Sequence, residues 1–130
     1  MKTGKLILIR KSLTVLYLLL IVYLSSQPAL PKVSDFQYMD KILHCLEYFF
    51  LALFIYFGWG FQQSVRYKAF IFMTFFAASD ELHQLFVPNR VCSFADFIAD
   101  NIGITLGFIL MKVKTSAEFS WYNFLLGKKK

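Results

Sequence analysis

The sequence predicts an all-α, polytopic membrane protein: one bundle of four transmembrane helices with both termini in the cytoplasm. Three observations lead there. First, the chain is short and apolar: of its 130 residues 58% are hydrophobic, 17% are charged and 16 are Phe. A soluble domain carries about 45–50% apolar residues even with glycine counted, and one this small has no interior large enough for the excess. Second, the apolar residues gather into four runs near the roughly 20 residues that a bilayer crossing needs. Third, the positive charge is lopsided about those runs, as the loops of membrane proteins are.

The first run is Leu13–Leu24, extended by Leu6–Ile9 across Arg10 and Lys11. Its basic flank and the trailing Ser25-Ser26-Gln27-Pro28-Ala29 also fit a secretory signal, whose removal would leave three spans. The second run is Ile42–Trp59. The third is Tyr67–Phe86, with polar residues only in its last third. The fourth is Phe94–Val113. No repeat, low-complexity tract or long linker divides the chain, so residues 1–130 read as a single domain. Residues 115–130 read as an interfacial tail, with Phe119, Trp121, Tyr122, Phe124, Leu125 and Leu126 ahead of three lysines. Aromatics at headgroup level and anionic lipid would hold such a segment, and docking of a partner is the alternative.

Orientation follows from the basic residues. Lys2, Lys5, Arg10 and Lys11 precede the first span, Arg66 and Lys68 separate the second from the third, and Lys112, Lys114 and Lys128–Lys130 follow the fourth. Of the 14 Lys and Arg, only Lys32, Lys41 and Arg90 fall on the opposite side. This puts both termini in the cytoplasm. It also argues against nucleic acid as a partner, because the basic residues flank apolar runs instead of forming a water-facing patch. Two cysteines, Cys45 and Cys92, are too few for a disulfide framework. Cys45, within an apolar run, reads as a small packing residue.

On this topology the ionisable groups converge. Asp35, Asp40, Glu47, Asp80, Glu81, Asp96 and Asp100 all fall on the outer side with His44 and His83, and only Glu118 is cytoplasmic. Helical spacing aims them inward. Asp40, His44, Glu47 and Leu51 form one stripe of span two, bordered by Tyr48. Span three carries Ala77, Asp80 or Glu81, and Gln84, with His83 three after Asp80. Asp96, Asp100, Gly103 and Gly107 repeat the stripe on span four, where Gly103 and Gly107 form a GxxxG that lets helix backbones approach closely. An Asp at mid-bilayer costs about 2.5–3.5 kcal/mol on insertion scales. Asp100, about 10 Å into its span, and Glu47 therefore need partners, water or protons. Lys41, Arg90, His44 and His83 are at hand. Such residues can simply tie helices together, an alternative weightiest for Glu47 and Asn101, although ionisable residues inside spans are functional by default.

Three stretches also resemble the VanZ-like family of bacterial integral membrane proteins. Asp40-Lys41-Ile42-Leu43-His44-Cys45-Leu46-Glu47-Tyr48 has a DKxxH…EY form. Ser79 to Arg90 fits DExxQ…R, with Asn89 where Gly is expected. Asp96-Phe97-Ile98-Ala99-Asp100-Asn101-Ile102-Gly103 has a Dxxx(D/N)NxG form. The resemblance covers residues 35–112 and leaves the first span and the tail without a motif. It implies a small multi-pass protein of the bacterial cytoplasmic membrane, in a family named for a member associated with low-level resistance to the lipoglycopeptide teicoplanin.

The leading functional expectation is an envelope protein that is not an enzyme. Its outward cluster would bind a lipid headgroup, an envelope precursor such as a peptidoglycan precursor, or a lipoglycopeptide. Lys41 and Arg90 would meet phosphate, and the acids would meet amines or hydroxyls. The binding candidates are Asp40, Lys41, His44, Glu47 and Tyr48 of span two; Asp80, Glu81, His83 and Gln84 of span three; Arg90; and Asp96, Asp100 and Asn101 of span four. The alternative is a membrane-embedded hydrolase or transferase acting on a headgroup, with His44, Asp80, Glu81 and His83 as catalytic candidates. No cofactor is called for, but a divalent metal held by His44, His83 and Asp80 or Asp96 stays open. HExxH, GxSxG and Cys–His metal spacings are all missing from the sequence. A proton or ion path is disfavoured because the inner half of every span is apolar.

Overall fold

The computed structural model has four helices in chain order: α1 (Lys2–Ser25), α2 (Met39–Trp59), α3 (Gln63–Gln84) and α4 (Phe94–Leu125). It describes the backbone of residues 2–28, 38–59 and 63–125, and the side chains of 4–28, 38–59 and 65–116. Lys32, Asp35, the side chains of Glu118 and of the tail aromatics, and the closing lysines lie outside the described residues. Among the described residues there is no strand.

Each helix extends or trims its predicted run for a local reason. In α1 the helix passes through Arg10 and Lys11 without a break and joins both apolar pieces into one 24-residue rod. Long basic side chains are good helix formers. Asp40 in the first turn of α2 suits the positive end of the helix dipole, and the helix begins before the apolar run does. At the start of α4, Ser93 acts as the N-cap: its hydroxyl accepts the Asp96 amide at 3.4 Å, and Asp96 lies in the first turn. That is the Ser-x-x-acid signature of a helix start. Helix α4 then continues to Leu125, 32 residues in all, or about 48 Å. It therefore outruns the bilayer core of about 30 Å and carries the first part of the predicted tail as helix.

Three of the four helices, α1, α2 and the Phe94–Ser116 part of α4, are long and apolar enough to cross a membrane. The exception is α3. Its 22 residues would reach across, at about 33 Å. But Arg66 and Lys68 at one end, and Asp80, Glu81 and His83 at the other, confine its apolar stretch to residues 69–78. It also ends at Gln84 instead of Phe86, through successive tight turns in which the Leu85, Phe86 and Val87 amides bond the residues three before them.

Chain neighbours run antiparallel. The most extensive packing joins α2 to α4, then α1 to α2, while α3 lies mainly against α4. The α2–α4 crossing is close because of two glycines. A Cβ on Gly103 would collide with the Cys45 carbonyl, and one on Gly107 would sit 2.6 Å from Ala52 Cβ. The core between the helices is Ile21, Tyr48, Leu51, Ala52, Ile55, Met73, Ala77 and Ile104. Leu8, Leu16, Leu19, Phe75 and Leu106 are among many large apolar residues left on the outside, a surface suited to lipid.

The two ends of the bundle differ. At one end Lys11 lies 5.5 Å from the Trp59 ring centre and Lys114 lies 5.8 Å from that of Phe57. The other end gathers the start of α2, the end of α3 and the start of α4, and with them Asp40, Asp80, Glu81, Asp96 and Asp100.

Candidate functional site

The acid-rich end is built around His44, one turn into α2 and 6% exposed. Its Nδ1 lies 3.0 Å from Asp100 Oδ1, on the next turn of α4 below Asp96. It also lies 4.0 Å from Glu81 Oε1, near the end of α3. Asp100 is fully buried and Glu81 is 3% exposed. Three helices thus each supply one ionisable side chain to a single point, and the three ligand atoms lie within 4.8 Å of one another.

The carboxylates are oriented from behind. Glu81 Oε2 accepts the Ser93 amide at 2.8 Å, so the residue that starts α4 also fixes Glu81. This leaves Oε1 facing His44. Asp96 is held by Lys41, whose Nζ is 2.7 Å from Oδ1. Asp40, exposed at the rim, completes a second group with His44 and Asp96. Asp80 is buried and accepts only a long bond of 3.5 Å from Gln84 Nε2. The centre is nevertheless incompletely satisfied. Glu81 Oε1, Asp100 Oδ2, Glu47 Oε1 and the Tyr48 hydroxyl are buried without a hydrogen-bond partner. Tyr48 is fully buried one turn beyond His44, and its hydroxyl lies in the field of Asp80, Asp100, Glu47 and Glu81. Leaving one polar group unmet in a buried site costs about 1–3 kcal/mol, and more if it is charged.

Other candidates stand apart from this point. Arg90 donates from Nε to the Gln27 carbonyl and from Nη2 to the Leu24 carbonyl, both at 3.1 Å. It therefore closes the C-terminal end of α1, whose last carbonyls lack partners within the helix. His83 is exposed and meets Ser26 Oγ at 3.0 Å; neither three-residue group contains it. Asn101 bridges α3 and α4, accepting from Thr74 at 3.0 Å and donating to the Phe97 carbonyl at 2.8 Å. The backbone carbonyl of Glu47 accepts the Tyr17 hydroxyl of α1. Cys45 and Cys92 are both free thiols. Asn89, in the turn before α4, has φ 61°, the left-handed region that Asn tolerates better than other side chains do. The turn is thereby made without the expected Gly.

Two contributors carry no sequence motif. The Ser93 amide is a backbone group, and no side-chain pattern marks it. The polar face of α1 left a faint trace: Thr14, Ile21 and Ser25, all buried, repeat at helical intervals with Tyr17 or Leu18 between them. Thr14 donates to the Phe54 carbonyl at 2.9 Å, and Tyr17 stacks on Phe54 with ring centres 4.7 Å apart.

The loop beside the centre is apolar and outward-facing. Phe86, Val91 and Phe94 are each more than three-quarters exposed. They form a greasy collar next to the acids. The chain matches the family model described as VanZ/LLP1 over residues 6–115, which takes in α2 and α3 whole and most of α1 and α4. No curated protein and no solved structure matches it.

Proposed function

The chain belongs to the VanZ/LLP1 family of membrane proteins, and on that premise we propose that it is a multi-pass receptor of the bacterial cytoplasmic membrane. Its acid-rich end faces out, and it binds the headgroup of an envelope molecule there. The observation that carries this reading is the buried meeting of His44, Glu81 and Asp100 from three helices, with acceptor oxygens left free. The free groups select the ligand. Lys41 is engaged by Asp96 and Arg90 by the end of α1, while the unmet atoms are mostly acceptors. A ligand that donates, through an amine or sugar hydroxyls, suits this set better than a bare phosphate. The exposed Phe86, Val91 and Phe94 favour a ligand with a lipid anchor, such as a lipid, a lipid-linked envelope precursor or a lipoglycopeptide.

The test is teicoplanin susceptibility in a deletion strain carrying the wild-type chain or its Glu81→Gln or Asp100→Asn variant at matched membrane levels. The wild type shifts susceptibility and the variants do not. If deletion leaves susceptibility unchanged, the lipoglycopeptide form of the proposal is lost. If the variants act like the wild type, the placement of the site is lost.

A second reading, a membrane-embedded enzyme, draws on the same His44–Asp100 pair, since a buried acid that orients an imidazole is the pattern of a general base. Among the described residues no Ser, Thr or Cys hydrogen-bonds His44, so at His44 this reading rests on a general base that acts on water and not on a covalent nucleophile. Turnover of a headgroup by the purified wild type, lost in His44→Gln, would move the balance to this reading.

A further inference from the structure

We infer that His44, Glu81 and Asp100 form a centre for one divalent first-row metal ion, Zn2+ or Mn2+, at the meeting point of α2, α3 and α4. The inference rests on reading that cluster as a binding centre, and it names the cation that would complete it.

Four observations converge. The donor set is right: one imidazole nitrogen and two carboxylate oxygens, within 4.8 Å of one another. Ligand atoms around an ion with bonds of about 2.0–2.2 Å lie roughly 3.0–3.6 Å apart. His44 to Asp100 is 3.0 Å and His44 to Glu81 is 4.0 Å, so the first pair is already at ligand spacing and the Glu81 carboxylate must draw in. Charge is the next argument. Two buried carboxylates face one imidazole, while Lys41 at the same end is turned to Asp96. Buried charges need pairing or a metal, and a divalent ion balances both acids at once. The third observation is the pattern of unmet atoms. Glu81 Oε1 and Asp100 Oδ2 are buried acceptors without a partner, and the hydroxyl of the fully buried Tyr48, one turn beyond His44, is also unpartnered. An ion that keeps a water gives these acceptors both a charge and a donor. Finally, Glu81 is braced from behind by the Ser93 amide at 2.8 Å. Metal-ligating carboxylates are in turn hydrogen-bonded in this way.

The choice of metal follows from the ligands. The imidazole suits Zn2+, an ion of borderline hardness, and the two carboxylates also suit the harder Mn2+, whereas Mg2+ and Ca2+ favour all-oxygen sets. The competing group of Asp40, His44 and Asp96 is weaker, because Lys41 already occupies Asp96 Oδ1 at 2.7 Å.

The experiment uses the full-length protein in detergent micelles, stripped with a chelator and titrated with Zn2+, Mn2+ or Mg2+ alone. Uptake is read by elemental analysis and by thermal unfolding. One equivalent of Zn2+ or Mn2+ binds and raises the melting midpoint, and Mg2+ binds at least roughly ten-fold more weakly. His44→Gln, Glu81→Gln and Asp100→Asn each weaken binding roughly ten-fold or more, Asp40→Asn weakens it less than any of these, and the remote Lys5→Gln leaves it unchanged. Each variant is compared only after circular dichroism shows native helicity. If a ligand variant fails to fold, the Asp40→Asn and wild-type titrations still decide. Folded wild type that takes up no Zn2+ or Mn2+ overturns the inference, as does uptake that survives all three ligand substitutions or that Asp40→Asn abolishes. The two proposals fail separately. No metal uptake, with susceptibility still dependent on Glu81 and Asp100, removes the ion alone; stoichiometric uptake, with those variants indifferent in susceptibility, removes the headgroup-binding role alone.

Discussion

Tyr48 and Arg90 show how single residues divide into those that strain the fold and those that hold it. The Tyr48 hydroxyl is buried among acids with no hydrogen-bond partner. Removing an unmet polar atom while keeping the ring removes its desolvation penalty. Tyr48→Phe is therefore expected to leave the metal-free protein as stable or more stable, by up to about 1–2 kcal/mol, in reversible unfolding in mixed micelles. A loss of 2 kcal/mol or more would mean that the hydroxyl has a partner. Arg90 works in the opposite sense. Its planar fork reaches the Leu24 and Gln27 carbonyls together, a geometry that an ammonium does not reproduce. Arg90→Lys is expected to lose nearly as much stability as Arg90→Ala, about 1 kcal/mol at this partly exposed site. Full rescue by Lys would show that only the charge matters.

Among the elements, the α2–α4 crossing is the tightest point and the easiest to break. At Gly103 an added Cβ would run into the backbone carbonyl of Cys45, which cannot rotate away. At Gly107 it meets the Ala52 methyl and the Phe49 carbonyl at 2.6 and 3.1 Å. Overpacking of this kind costs about 1–3 kcal/mol. Gly103→Ala should fall at the upper end and Gly107→Ala below it; equal or negligible effects would mean that the helices cross further apart.

That crossing was legible in the sequence, because Gly103 and Gly107 share a stripe with Asp96 and Asp100, and small residues at helical spacing mark close contact. The gathering of His44, Asp100 and one of Asp80 and Glu81 at one end was legible for the same reason, since period and topology place them at one depth; the sequence leaves open which acid of α3 meets His44. Three features were not. The shortness of the apolar stretch of α3 is hidden because Arg66 and Lys68 read as loop residues, whereas the helix begins before them at Gln63. The turning of Arg90 and His83 toward α1 depends on where the loops fold back, which helical period does not encode. The brace on Glu81 comes from a main-chain amide of Ser93, which any residue but proline would supply.

The whole molecule has a side as well as a shape. The proposal places the α3–α4 turn, and Cys92 within it, outside the cell with the acid-rich end. Cys92 is a free, half-buried thiol on that turn. In a Cys45→Ala background, a membrane-impermeant maleimide added to intact cells is expected to label Cys92 without lysis. Labelling only after lysis would invert the topology.

The central physical claim is that charged groups from separate helices meet and depend on one another. A double-mutant cycle between His44→Gln and Asp100→Asn, measured as unfolding free energy in chelator-treated micelles, tests it most directly. The 3.0 Å contact between buried groups predicts a coupling of about 1–3 kcal/mol. Effects that add to within about 0.5 kcal/mol would contradict it, because the two side chains would then not share a site.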